Sequence, residues 1–262
     1  SKSLLLSVGI AALSGLVGSS ILEKDIAYYP LIFTFLGFCA FFKAIAIFGM
    51  PSKKVDESPH ENPFGNMKYA WQDRSFGYVL LTWFIMGFAN LWTLPLRVDY
   101  ITSPQWGIEG SAIFVAMIIT VIPETLRMLL IPFWARLFDK MNFVILRMIL
   151  NLSFASGVLL FFISTNPWII GAGSALIGVA FAGGSIAWNL WVTKYAPPGR
   201  TGAYMSVHVS LTGIRGTLGP MVGYWAVGII GAQNIGLLSC GMMILATLML
   251  IPEIPHGRGK TA

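Results

Sequence analysis

The chain has 262 residues, 56% hydrophobic and only 11% charged, with a mean hydropathy of +0.73. A soluble domain carries about 25% charged residues, so this composition excludes an ordinary soluble protein and indicates an integral membrane protein. The net charge of +6 comes without a basic run interleaved with aromatics, which sets nucleic acid aside; it matches the Lys/Arg excess of cytoplasmic loops.

A helix needs roughly 20 mainly apolar residues to cross a bilayer. Eight such runs occur, near 3–21, 28–50, 76–96, 110–135, 143–164, 167–192, 202–230 and 233–252. The expected fold is therefore all-α, a polytopic bundle of about eight transmembrane helices. A transmembrane barrel needs alternating strands of about ten residues, and these long continuous runs exclude it.

Residues 2–20, KSLLLSVGIAALSGLVGSS, have the basic start, apolar stretch and small-residue end of a signal peptide. They are expected instead to be a genuine first span of a chain continuing upstream. Residues 1–50 thus hold two spans and 51–74 form a polar, proline-containing linker. Within it NMKYAWQD reads either as a short surface turn or as plain linker. Six spans follow over 75–253, then a tail, 254–262.

With residue 1 in the cytoplasm, one side carries Lys2, Lys53, Lys54, Lys68, Arg74, Arg136, Lys140, Arg147, Lys194, Arg200, Arg258 and Lys260. The other side carries only Lys24 and Arg97. That bias puts both termini in the cytoplasm, with a bacterial inner (plasma) membrane the expected location. Lys43, near the end of the second run, is able to snorkel to the surface.

In the third run, Trp83, Asn90 and Trp92 are candidate solute contacts. Trp92 and Trp191 are expected mainly as interfacial anchors. The fourth run holds Glu124 and Arg127, spaced i, i+3 on one helical face. An ionisable residue inside a span is costly unless paired or wet, so it is a functional candidate by default. Pro123 precedes Glu124 and gives a local kink.

In the sixth run, Ser174, Gly178 and Ala182 recur every fourth position, as in a packing face. Trp188, Asn189 and Trp191 end it. The seventh run carries His208 and Arg215 seven residues apart, Ser210 and Thr212 nearby, and small residues Gly213, Gly216, Gly219 and Gly223 with Pro220. The segments 127–132 and 215–220 both read R-x-x-L-x-P, in the middle helices of two three-span units that run in opposite directions, as inverted repeats require.

Two spans, a linker, six spans and a tail form a layout that resembles spans five to twelve of a major facilitator superfamily transporter. ARLFDKMNFVILR (135–147) resembles that family's loop signature after the second span of a half. Asp139 and Lys140 match it, Ala135 and Asn142 replace its glycines, and Arg147 follows. YAPPGRTGAYMSVHVSLTGIRGTLGP (195–220) is similar to the family's loop into its eleventh span. The resemblance implies a cytoplasmic gate formed by Asp139, Lys140, Arg136 and Arg147, with contacts made in one state and broken in the other. The local alternative is that Asp139 or Asn142 caps the next helix. The resemblance also implies four further spans upstream, needed for function because the solute cavity lies between two halves.

Glu124, Arg127, Arg215, His208 and Asn90 are the expected cavity residues, with a structural ion pair between Glu124 and one arginine as the alternative. An arginine there binds an anionic group or a cluster of sugar hydroxyls, and Glu124 can take up a proton. The expected function is secondary or facilitated transport of a small polar solute by alternating access, with protons a candidate coupling ion and lipid the surrounding partner. A transporter-like sensor or scaffold is the alternative. A membrane-embedded transferase is a poorer one, because His60, His208 and His256 are scattered. Cys39 and Cys240 have no paired spacing, and no G-x-x-x-x-G-K-[ST] occurs. No metal, cofactor or catalytic residue is expected.

Overall fold

The computed structural model describes residues 2–49 and 65–257. Most of the expected linker and tail, with Lys53, Lys54, His60, Arg258 and Lys260, lies outside the described residues, as do the side chains of residues 2–5 and Asn189. Twelve α-helices and no strand occur among the described residues. They are α1 (Lys2–Lys24), α2 (Tyr29–Phe48), α3 (Tyr69–Gln72), α4 (Arg74–Thr93), α5 (Leu96–Thr102), α6 (Ala112–Ala116), α7 (Ile122–Lys140), α8 (Phe143–Ile163), α9 (Pro167–Leu190), α10 (Val192–Tyr195), α11 (Thr201–Ile230) and α12 (Ala232–Met249).

Seven described helical stretches are long and apolar enough to cross a membrane. The eighth expected span, α11, has 30 residues and ample length, but its Ser, Thr, His, Arg and Gly content lowers its hydropathy. It faces protein along one side, where Val207, His208, Arg215, Gly219 and Gly223 are buried. The outer surface is the reverse of a soluble protein's. On α2, which has no buried residue, Phe35, Phe38, Phe41 and Phe42 all point outward.

Polar residues mark the helix starts. Asp73 accepts from the Phe76 N–H at 3.0 Å and Ser111 from the Phe114 N–H at 3.3 Å. Asn166 accepts from the Trp168 N–H at 2.9 Å, with Pro167 at the first helical position. Each side chain satisfies a donor that the helix itself cannot.

The helices pack in the order α11, α4, α12, α8, α9, α7, and α1 lies outside against α6 and α7. Exchanging α4 with α9, α7 with α11 and α8 with α12 leaves this order of neighbours unchanged. Each helix then runs opposite to its counterpart, because two spans lie between them in the chain. Close approach depends on glycine at several seams. A Cβ on Gly178 of α9 would stand 2.6 Å from the Pro123 Cα of α7. Gly219 and Gly223 of α11 lie against the α4 backbone at Leu91 and Trp92. Gly213 and Gly216, expected to share that role, have nothing within 4 Å of a built Cβ.

Between α6 and α7, residues Met117–Val121 form a π-helical turn. Pro123 leaves one of its carbonyls without a backbone donor. In an i→i+5 pattern the Ile118 carbonyl would take its bond from residue 123, and proline has no N–H. The Ile122 N–H is already spent on the Met117 carbonyl. The buried Ser174 hydroxyl of α9 donates to the Ile118 carbonyl instead. Ser174, Gly178 and Ala182 thus form the packing face that their spacing suggests.

Two expected outcomes follow from the α7–α9 seam. Gly178→Leu overpacks against the Pro123 backbone and lowers stability by about 1–3 kcal/mol, read as a lower unfolding midpoint in detergent; Gly241→Leu, at a position with open space, stays near the parent. Ser174→Ala leaves the Ile118 carbonyl without its donor and costs about 1–3 kcal/mol by the same measurement.

Candidate functional site: a cationic cavity in the bundle

A cavity of about 520 Å³ lies within the bundle, with polar groups set in a mainly apolar wall. Its wall comes from α4 (Trp83, Met86, Gly87, Asn90, Leu91), α7 (Arg127), α8 (Arg147, Phe154), α9 (Phe181, Gly184, Ser185, Trp188) and α11 (Thr212, Arg215, Gly216). Three guanidinium groups from three helices therefore converge on one space.

Arg127 is the paired one. Its Nη1 lies 3.2 Å from Glu124 Oε1 and 3.3 Å from Oε2, and its Nε donates to Ser185 Oγ at 2.9 Å. The structural ion pair and the cavity position both hold for Arg127. Glu124 is one turn away and is not part of the cavity wall.

Arg215 is 2% exposed and crosses from α11 to α4. Its Nη1 donates to the Trp83 carbonyl, and its Cζ lies 4.9 Å from the centre of the Trp188 ring. It passes over Gly87, where any Cβ would collide with the guanidinium. Gly87 is thus required for the arginine to reach the α4 backbone.

Arg147 departs from expectation. The loop signature puts it at the cytoplasmic gate, but it stands in the second turn of α8, 3% exposed and facing the cavity. Its Cζ sits 3.5 Å from the centre of the Trp83 ring, and its Nη2 lies 3.2 Å from Met86 Sδ. The helix begins at Phe143, and residue 147 falls on its buried face with Leu150, Asn151 and Phe154. The other gate residues, Arg136, Asp139 and Lys140, are exposed at the end of α7, and none is in an ion pair among the described residues. Asn142 caps α8 through the Val144 and Ile145 N–H groups and donates to the Ile254 carbonyl at 2.6 Å.

His208 also differs. It is 1% exposed and lies behind the cavity wall, enclosed by Trp83, Trp188 and Trp191 at centroid distances of 5.4, 4.9 and 5.2 Å. Trp83 and Trp188, which pack edge-on against it, line the cavity, and His208 does not. Trp191, expected as an interfacial anchor, is fully buried in this aromatic cluster, stacked on Trp83 and Phe76.

Asn90 lines the cavity, and its Oδ1 accepts from Arg97 Nη2 at 2.9 Å. By sequence Arg97 falls with the non-cytoplasmic loops. In the fold it is 5% exposed in α5 and reaches back toward α4. Sequence reasoning misses both Arg97 and the inward position of Arg147. Each is set in apolar residues on both sides, TLPLRVDYI and NFVILRMIL, which is the available signal.

Beyond the cavity, at the end of the bundle where α10 begins, Ser75 Oγ donates to Glu253 Oε2 at 2.7 Å and His256 Nδ1 lies 3.6 Å from the same oxygen. Burial, and then the Glu253 carboxylate, push the nearby Tyr195 hydroxyl above its ordinary range. It remains a neutral phenol there.

Residues 106–262 match the family model for the Major Facilitator Superfamily. No curated protein and no solved structure matches the chain. The match covers more than half of the chain, and the all-α bundle of apolar helices agrees with it: the chain belongs to the major facilitator superfamily, a family of membrane transporters.

Proposed function

We propose that the chain moves a small polar solute across the membrane by alternating access, with the cavity between α4, α7, α8, α9 and α11 as the solute site. The observation that carries this is the convergence of Arg127, Arg147 and Arg215 on one space of about 520 Å³. Charged side chains inside a bilayer cost roughly 3 kcal/mol each, and a packed bundle has no structural need for three of them in one place. Asn90, Ser185 and Thr212 supply neutral hydrogen-bonding groups beside the cations.

The driving force is the solute's own gradient or a coupled ion. Glu124 is the proton site in the coupled version, because it is the carboxylate in contact with a cavity arginine. Protonating it releases Arg127 to the solute, which links the two events. His208 is a supporting residue rather than a coupling group, since it does not line the cavity. The exposed Arg136, Asp139 and Lys140 form the cytoplasmic gate, and their cross-loop contacts belong to the other state of the cycle. A second set of helices faces the open side of the cavity. The protein works in a bacterial inner membrane with its termini in the cytoplasm, the orientation favoured by the Lys/Arg bias.

A sensor or scaffold built on a transporter fold is the competing reading, and transport itself separates the two. In proteoliposomes or intact cells, Arg215→Ala and Glu124→Gln reduce solute uptake to background while folded protein still reaches the membrane. Parental uptake in both variants sinks the assignment of these residues to the solute path.

A further inference from the structure

We infer that the solute is an organic anion, a carboxylate or phosphate monoester with an apolar body, gripped between Arg147 and Arg215 over the Trp83–Trp188 pair; this rests on the transport reading above and names its substrate class.

The first observation is the charge balance. Glu124 compensates Arg127. Neither Arg147 nor Arg215 has a carboxylate within ion-pair distance among the described residues. Both are nearly inaccessible, at 3% and 2% exposure, and both line the cavity. A buried charge left without a counterion is costly, and an anion arriving in the cavity removes that cost.

The second observation is how the two groups are held. A guanidinium has five N–H donors. The Arg147 contacts are a ring face and a thioether sulfur, which neutralise little. Arg215 gives one donor to the Trp83 carbonyl, and its buried Nε–H has no partner. Trp83 and Trp188 stand edge to face, with centroids 5.3 Å apart. Each carries one guanidinium, Arg147 over Trp83 and Arg215 over Trp188. Cation–π contact fixes the position of a guanidinium without consuming its in-plane donors. Those donors suit the planar or tetrahedral oxygens of a carboxylate or phosphate, which arginine binds in a fork.

The third observation is the rest of the wall. Met86, Leu91, Phe154 and Phe181 are apolar, and Gly184 and Gly216 leave room beside them. A cavity of about 520 Å³ is far larger than one inorganic ion needs, since a water molecule takes about 30 Å³. A polyol would leave these apolar surfaces unused. An anion with a hydrophobic body uses both the cations and the apolar wall.

Trp83 and Trp188 report on their own site, so the test is a tryptophan-fluorescence titration of the purified full chain at low salt. The probes are benzoate and phenyl phosphate, each against its neutral counterpart, benzamide and phenol. At least one anion is expected to bind ten times or more tightly than its counterpart. Arg147→Gln loses that preference tenfold or more, and Arg147→Lys restores part of it, because the charge returns without the fork. If the variants fold poorly, phenyl phosphate on the unaltered chain should protect Arg147 and Arg215 from phenylglyoxal, read by mass spectrometry. Equal binding of neutral and anionic probes, no binding of either anion, or no protection of the two arginines overturns the inference. Uptake of a neutral solute with no anion preference overturns it while leaving the transport reading intact. Anion binding without uptake supports it and removes the transport reading instead.

Discussion

Keeping guanidinium groups charged inside a bilayer is the constraint that organises this bundle. An isolated arginine at membrane depth costs roughly 3 kcal/mol, and four are buried or half-buried in the six helices after residue 74. Each has its own support. Arg127 has Glu124 and Ser185. Arg97 has Asn90. Arg147 and Arg215 have tryptophan faces, where a desolvated cation gains about 2 kcal/mol, and Arg215 adds the Trp83 carbonyl. These supports in turn dictate other choices. Gly87 is small because Arg215 lies across it. Trp83, Trp188 and Trp191 form one cluster, and His208 is held inside it.

The arrangement also ties the two three-span units of the bundle to each other. The neighbour order of the helices survives exchange of α4 with α9, α7 with α11 and α8 with α12. Under that exchange α7, which carries Arg127, corresponds to α11, which carries Arg215, and each arginine opens an R-x-x-L-x-P segment. The two arginines meet the same cavity from opposite flanks. Each is anchored to a helix of the other three-span unit, Arg127 to Ser185 of α9 and Arg215 to Trp83 of α4. A relative shift of the units therefore strains both anchors together.

Much of the fold is legible in the sequence because the bilayer leaves few alternatives. Long apolar runs must be helices, so all eight runs correspond to helices. The intramembrane ions stand out for the same reason, and Glu124, Arg127 and Arg215 are conspicuous from their apolar surroundings alone. Arg147 and Arg97 are not, because each sits near a run's end, where a cation is ordinarily read as a loop residue. Only the direction of the side chain distinguishes inward reach from snorkelling, and that is a tertiary property. The same holds for His208, whose seven-residue spacing from Arg215 correctly puts both on one helical face. Which rings enclose His208 is set by Trp83, Trp188 and Trp191 from elsewhere in the chain. Trp191 looks like an interfacial anchor by position, but its stacking on Phe76 and Trp83 depends on a partner more than 100 residues earlier.

The π turn at Met117–Val121 has a consequence for angular phase. An α-helix advances about 100° per residue, and a π turn accommodates one residue more than the regular helix would. Everything after it is rotated by about that angle relative to everything before. The upstream part of this span packs on α1, where Glu23 accepts from the Ile113 N–H at 3.1 Å. The downstream part turns Arg127 toward the cavity. Without the extra residue, the Glu124–Arg127 pair would be turned by that angle relative to the segment that meets Glu23, out of register with Ser185. The turn acts as a phase adjuster between the part of the span that meets Glu23 and the part that aims Arg127 at the cavity.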